Sequence, residues 1–164
     1  GWESDLVKSD PLVVDCVCAL AADDPLANKP FVTPNDLDGR PCATLLPEHF
    51  VPRRLREIFS EAGARLNVQF EMQNAAAQYP LIAERYAFGV FSPLSAWIHK
   101  TTQQHPDAIR FIPMRPAVKY PFAILTPAHR PLSRLASAFV NALRGEVNDV
   151  LKEMNAEIST TPPT

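Results

Sequence analysis

A chain of 164 residues, 46% hydrophobic and 21% charged, is long enough for one ordinary domain or two small lobes with a real core, and its composition excludes a disordered protein. Its formal net charge of −2 argues against a nucleic-acid-binding surface within these residues, because phosphate contacts need clustered lysine and arginine. No apolar stretch approaches the roughly 20 residues that span a membrane, and the first residues lack the basic start and apolar core of a signal peptide.

The first predicted element is a strand from Val13 to Leu20, a β-branched and apolar run in which Cys16 and Cys18 would share one face. With Cys42 they make an odd number of cysteines, without metal-ligand spacing. We therefore expect buried, reduced thiols and a cytoplasmic location. A redox pair or a metal site is the alternative, but no nearby histidine or second cysteine pair supports it.

A capped turn and a short strand come next. Thr33 is suited to the N-cap of a single helical turn, with Pro34 at the first helical position. Asp38-Gly39 ends this turn. Cys42 to Leu46 is then a short apolar strand that Pro47 breaks.

The next predicted element is a helix from about Phe50 to Ala62, since apolar residues recur on one face while arginine and glutamate side chains take the other. Gly63 is its natural C-terminal stop. The apolar face consists of Val51, Leu55, Ile58, Phe59 and Ala62.

Strands and helices then alternate. Val68 to Phe70 is a predicted strand, a helix follows from about Asn74 to Glu84, and Phe88 to Phe91 is a strand that Ser92-Pro93 ends. Ile109 to Met114 is one more strand. This β-α-β-α-β order predicts the α/β class, with a mostly parallel sheet and helices on both faces.

The last two predicted elements are a strand from Tyr120 to Leu125 and a long helix from about Leu132 to Met154. Like the first strand, this helix has few sequence-local partners. We therefore expect a two-lobe protein whose other lobe is largely missing from this chain. The polar tail from Ser159 to Thr164 is expected to be frayed. The helix stripe that should pack on a core is Leu135, Phe139, Leu143, Val147 and Leu151.

Several segments in this order resemble the effector-binding domain of LysR-type transcriptional regulators. The first are Asp24-Pro25-Leu26-Ala27, Thr33 to Gly39, and the strand from Cys42 to Leu46. The stretch from Glu71 to Ala96 is similar to the family's strand, ligand-facing helix N-terminus and Gly-Val strand. Tyr120 to Leu143 looks like the family's return strand and final helix.

The chain departs from the family pattern at two turns. Asp24 stands where the family usually has a histidine. Gly89 is the one glycine in a turn where the family often has two, so the bulky segment Arg85-Tyr86-Ala87-Phe88 must end its helix without the usual glycine cap.

The resemblance implies a Rossmann-like lobe of a bilobal, periplasmic-binding-protein-like (type 2) domain, with only part of the first lobe present. Residues 1–21 would be a hinge strand and a remnant of the first lobe, and residues 22–117 the second lobe. Residues 118–158 would be the return hinge strand and the final helix of the first lobe, before a disordered tail at 159–164.

The function implied is the sensing of a small organic-acid or amino-acid-like effector, with no cofactor, between two lobes of a homo-oligomeric (dimeric or tetrameric) regulator. DNA would be bound only through a winged helix-turn-helix absent from this chain, and no membrane contact is implied. A bilobal solute-binding protein of a transport system is the alternative. An enzyme is not expected, because no phosphate loop, Gly-x-Ser-x-Gly or His-Glu-x-x-His pattern is present.

In an open α/β sheet, ligands bind beyond the carboxyl ends of the strands, and free N–H groups at helix N-termini favour anions. The predicted ligand-binding residues at such points are Thr44, His49, Gln73, Asn74 and Ser92. The alternatives are a surface histidine, helix-capping amides and a routine Ser-Pro turn. We predict no catalytic residue and no metal ligand.

Overall fold

The computed structural model describes residues 5–102 and 105–160, with only the backbone described for residues 157–160. In chain order its strands are β1 (Val7–Asp15), β2 (Val17–Ala21), β3 (Pro41–Leu45), β4 (Asn67–Met72), β5 (Gly89–Phe91), β6 (Ile109–Pro113) and β7 (Lys119–Pro127). Its α-helices are α1 (Phe50–Glu61), α2 (Tyr79–Ala83), α3 (Pro93–Thr102) and α4 (Arg134–Thr160). Short 3₁₀ turns cover Pro25–Asn28, Ala76–Gln78 and Pro106–Ala108.

A mixed sheet is built around β2, whose residues are all buried. β2 pairs antiparallel with β5 on one side and β6 on the other. β3 pairs parallel with β4 and is joined to the β5 side by a parallel bridge between Cys42 and Phe88. The Ala43 N–H donates to the Phe88 carbonyl at 2.8 Å. The strand order is therefore β4-β3-β5-β2-β6.

Helices cover both faces of this sheet, which confirms the predicted α/β architecture. On one face, Leu55 and Phe59 of α1 pack with Cys18 and Phe88 in a buried apolar cluster. On the other face, Ile82 of α2 belongs to a second cluster, together with Ala96 of α3 and Met154 of α4. The two faces are separate because side chains alternate along β2.

The predicted first strand is two strands. β1 forms a long antiparallel ribbon with β7, while β2 enters the buried sheet. Cys16 lies between them, and its N–H donates to the Val118 carbonyl at 2.9 Å. The other four strands of the sheet run in one direction, so the predicted mostly parallel sheet holds except at β2. β2 runs antiparallel to both neighbours because it arrives from the ribbon and not from a helical crossover.

α3 was not predicted, and α2 is shorter than predicted. α3 starts at Pro93 after Ser92, whose Oγ accepts the Ser95 N–H at 3.2 Å, so the Ser-Pro pair begins a helix as well as ending a strand. The predicted helix from Asn74 is a 3₁₀ turn followed by the five residues of α2. α2 ends at Ala83, and Arg85, two residues later, takes the left-handed conformation (φ 63°) usually reserved for glycine.

The apolar stripe of α4 is only partly buried. Leu135 is 82% exposed and Phe139 65% exposed, whereas Leu151 and Met154 are buried. α4 runs to Thr160, so the first two residues of the predicted tail are helical, and residues 161–164 lie outside the described residues. None of the helices in the described ranges is long and apolar enough to span a membrane.

All three cysteines are free and buried, as predicted. Cys16 and Cys18 lie in the same apolar cluster. Burial raises the pKa of the Cys16 thiol to about 12 and that of the Cys42 thiol to about 12. Both thiols are therefore protonated at neutral pH, as is usual for cysteines packed in a core.

His99 predicts a pH dependence of stability. Its side chain is buried, packs against the Tyr79 ring at a tilt of 36° with ring centroids 4.1 Å apart, and has no hydrogen-bond partner for either ring nitrogen among the described residues. Burial lowers its pKa. Since the unfolded chain binds a proton near pH 6.5 and the folded chain does so only at lower pH, stability should fall as the pH drops below about 6.5.

We expect His99→Leu to flatten the dependence of the urea midpoint on pH between 7.5 and 5. His129→Gln, at an exposed position, is the matched control and should leave that dependence unchanged. An unaltered slope in His99→Leu would show that other groups cause the acid sensitivity.

Candidate functional site

The carboxyl ends of β3 and β5 open onto a cavity of about 90 Å³. Both strands point the same way, so polar residues at their ends meet on one edge of the sheet. α1 and α3 begin just beyond these strand ends, and the 3₁₀ turn before α2 and one residue of β7 close the other sides. The lining residues are Thr44, Leu45, Val51, Ala75, Gln78, Val90, Phe91, Ser92, Ser95 and Tyr120.

Two of the five predicted ligand-binding residues line this cavity. Thr44, near the end of β3, is only 5% exposed, and Ser92 directly follows β5. The hydroxyl oxygens of Ser92 and Ser95 are 3.1 Å apart and share a hydrogen bond. A hydrogen bond fixes the backbone of Ser95, because the Tyr79 hydroxyl donates to its carbonyl at 2.8 Å. The cavity wall is thus lined with hydroxyl groups on rigid elements.

The N-terminus of α1 contributes backbone donors to the same edge. The N–H groups of Phe50 and Val51 fall in the first helical turn, where the helix itself offers them no acceptor. His49, predicted as a ligand contact, is the N-cap residue of this helix, is exposed, and makes no side-chain capping bond. It lies one residue before Phe50, outside the set of residues that line the cavity.

Gln73 and Asn74, the remaining predicted residues, are exposed and also lie outside the lining set. The Asn74 side-chain oxygen accepts the Ala77 N–H at 3.0 Å, so this amide caps the 3₁₀ turn. The structure therefore groups Thr44 and Ser92, and places His49, Gln73 and Asn74 farther out on the same side of the sheet.

Three polar lining residues were not singled out from the sequence: Gln78, Ser95 and Tyr120. A signal existed for two of them. Gln78 is an amide at a position where the helical period, three residues after Ala75 and four before Ile82, calls for an apolar side chain. Ser95 is placed to pair with a capping Ser92. Tyr120 comes from β7, far along the chain, and no local pattern could place it.

Tyr120 forms one wall of the cavity, and its ring packs against another aromatic ring. Its ring meets the Phe50 ring edge-on at 5.8 Å, and the Arg53 guanidinium lies 5.8 Å from the centroid of Phe50 on that helix. Among the described residues, no aspartate, glutamate, lysine, arginine or histidine lines the cavity itself. The cavity therefore offers hydroxyl, amide and backbone groups to a ligand.

Two other cavities differ in chemistry. One of about 380 Å³ lies between the β1–β7 ribbon, α3 and α4, and its lining is mostly apolar. Another, of about 250 Å³, lies beside Tyr79 and His99. Neither is at the carboxyl ends of β3 and β5. Within the described ranges, no group of three or more histidine, cysteine, aspartate or glutamate side chains is arranged to hold a metal ion.

Comparison with known proteins shows which proteins this chain resembles in sequence and in fold. A family model described as the LysR substrate binding domain matches residues 3–148. The transcriptional activator protein LysR of Escherichia coli (strain K12) is 25% identical over 155 residues, which are 93% of this chain and 48% of that protein. The chain thus spans about half the length of this curated relative.

Two solved structures share the fold at lower identity. The CcmR regulatory domain of Synechocystis PCC6803, in complex with 2-PG, has a TM-score of 0.67 and 16% identity, covering 86% of this chain and 67% of that one. The effector binding domain of QuiR, in complex with shikimate, has a TM-score of 0.60 and 12% identity, covering 86% of this chain and 65% of that one.

Proposed function

Since the chain belongs to the LysR substrate-binding domain family, we propose that it senses a small organic-acid or amino-acid-like effector at the cavity between β3 and β5. In this proposal residues 22–117 are the second lobe. Residues 1–21 and 118–158 supply the hinge strands and the part of the first lobe that the chain contains. The whole protein would be a homo-oligomeric, cytoplasmic regulator that contacts DNA through a winged helix-turn-helix outside these residues.

The observation that carries the proposal is the donor-rich edge where β3 and β5 end. The buried hydroxyl of Thr44 and the hydroxyl of Ser92 face the same cavity as the first turn of α1. A helix N-terminus carries about half a positive charge, which favours a carboxylate even though no cationic side chain lines the cavity. Solved relatives with this fold hold 2-PG and shikimate, which supports a small-molecule effector for this chain.

Effector binding would act through the hinge. β1 and β7 form one continuous antiparallel ribbon that enters the sheet beside the cavity, and Tyr120 of that ribbon touches the cavity directly. A ligand that binds one hinge angle more tightly than another shifts the population of global states, and an oligomer would pass that shift to its DNA-binding domains.

Thr44→Val should weaken binding of an organic acid by about tenfold or more, because it removes a hydrogen bond to a charged group while keeping the side-chain shape. Isothermal calorimetry on a panel of small organic acids measures the loss. Thr101→Val, on the exposed surface of α3, is the matched control and should bind like the unaltered protein. Equal affinity in Thr44→Val and Thr101→Val would remove the cavity from the proposal.

The outer residues test how far the site extends. If the effector reaches the rim, His49→Ala and Gln73→Ala should each weaken binding. Unchanged affinity in both variants would confine the site to the Thr44–Ser92 cavity and would leave the family assignment intact.

A further inference from the structure

Gln78 is a buried amide with an unsatisfied acceptor. It is 2% exposed, lines the cavity between β3 and β5, and its side-chain oxygen has no hydrogen-bond partner among the described residues. Leaving a buried acceptor unpaired destabilises the folded protein. Natural structures keep few such groups, and those that persist call for an explanation such as a binding role.

The neighbouring groups do not satisfy this oxygen. The hydroxyls of Ser92 and Ser95 share one hydrogen bond, the Ser95 N–H donates to the Ser92 hydroxyl, and neither serine bonds to the Gln78 oxygen. The backbone N–H of Gln78 donates to the Ala75 carbonyl at 3.1 Å. This oxygen has almost no exposed surface, so it can accept from a ligand only when the amide group turns towards the cavity that Gln78 lines.

The chemistry of the lining selects between two kinds of donor. An alkylammonium group would bring a positive charge into a cavity where, among the described residues, no aspartate or glutamate is present. Burying a charge without a counter-charge is far more costly than burying a hydroxyl that makes a hydrogen bond. A neutral hydroxyl on the ligand satisfies Gln78 without that cost. The first turn of α1, at Phe50 and Val51, is left to hold the carboxylate.

We propose that Gln78 is a specificity residue that accepts a hydrogen bond from a hydroxyl group of the effector, so that the site selects hydroxy-substituted carboxylic acids over unsubstituted acids and over amino acids. This inference rests on the proposed function, since it assigns a ligand class to the same cavity. The inference also concerns stability. The unpaired amide oxygen destabilises the unliganded protein, and a hydrogen bond from the ligand hydroxyl removes that destabilisation.

The test uses pairs of acids that differ by one hydroxyl, malate against succinate and lactate against propionate, with alanine as the amino-acid counterpart of lactate. Binding to the 164-residue chain is measured by calorimetry for the unaltered protein, for Gln78→Met and for Gln69→Met, an exposed glutamine in β4 that serves as control. The unaltered protein should prefer the hydroxylated member of a pair by roughly tenfold, the value of one hydrogen bond.

Gln78→Met should abolish that preference and keep affinity for the unsubstituted acid, while Gln69→Met keeps the preference. Gln78→Met should also raise the urea midpoint of the unliganded protein, because methionine fills the same space without an unpaired acceptor. A lowered midpoint would mean that Gln78 is paired within the protein and would overturn the inference. Binding of acids with no hydroxyl preference would overturn the inference alone. Binding of none of these probes would count against the proposed function and the inference together.

Discussion

Phe88→Ala should destabilise the protein by about 3–5 kcal/mol, the range for truncating a fully buried phenylalanine. Phe88 is 1% exposed and stacks on Phe59, with ring centroids 6.3 Å apart and planes 9° apart. Its backbone also joins β3 to the β5 side, through bonds with Pro41 and Ala43. The loss therefore removes a core ring at the point where the two halves of the sheet are connected.

Urea unfolding followed by circular dichroism measures this effect, and Tyr86→Ala is the matched control. Tyr86 belongs to the same turn but is 61% exposed, so its truncation should change the midpoint little. Similar losses in the two variants would mean that the turn, and not the core contact of Phe88, determines stability here.

Arg40→Met should destabilise the protein by about 2 kcal/mol at neutral pH, because it leaves a buried carboxylate without its counter-charge. Asp24 is 7% exposed, and both its oxygens accept hydrogen bonds from the Arg40 guanidinium. A bond of 2.9 Å from the Leu26 N–H remains in the variant and limits the loss. Arg40 itself is more than one third exposed at its side chain, which places the effect below that of a fully buried pair.

The pH dependence of this effect follows from the pKa of Asp24. Burial opposes its ionisation, but the hydrogen bonds from Arg40 and from the Leu26 N–H outweigh burial and lower its pKa. The Asp24 contribution to stability is thus fully present above the unfolded pKa of about 3.9 and is lost as the pH falls through the folded value. The gap between Arg40→Met and the unaltered protein should narrow in acid.

Arg85→Met is the control for this pair. It removes the Arg85–Asp23 ion pair, which lies on the surface, and keeps a non-glycine residue at the same positive φ. Exposed ion pairs contribute little, so stability should barely change. A loss in Arg85→Met as large as that in Arg40→Met would mean that burial of Asp24 is not the cause.

Local patterns in the sequence predict those elements whose signal lies within one turn or one strand. α1 was predicted almost to the residue, because its apolar stripe, its polar face and Gly63 all agree. The shared face of Cys16 and Cys18 follows equally from the alternation of side chains along an extended chain. The reciprocal bonds between Thr33 and Asp36 also match the predicted capped turn, with the Thr33 N–H 2.8 Å from the Asp36 carboxylate.

Other elements depend on contacts that no local window contains. α3 has a mixed face, with buried Ala96 and His99 beside exposed Ile98, so its periodicity is weak, and helix packing against α4 stabilises it. The break at Cys16 is set by pairing with β6 and β7, more than 90 residues away along the chain. Pattern-based reasoning merged β1 and β2 for that reason.

The residues of the candidate site also fall into two groups, those predicted from local sequence and those that only the fold brings together. Thr44 and Ser92 were identified because each lies at the carboxyl end of a predicted strand, which is a local feature. Gln78 lies in the 3₁₀ turn before α2 and Tyr120 lies in β7, and only the tertiary fold brings both to this cavity. Composition and periodicity were therefore enough for the class of fold and for most of the order of elements, and they predict a ligand at the edge where β3 and β5 end. Tertiary packing was needed for the direction of β2, for the position of Tyr120 and for the unpaired oxygen of Gln78. Burial and hydrogen-bond satisfaction depend on neighbours in space and not on neighbours in the chain.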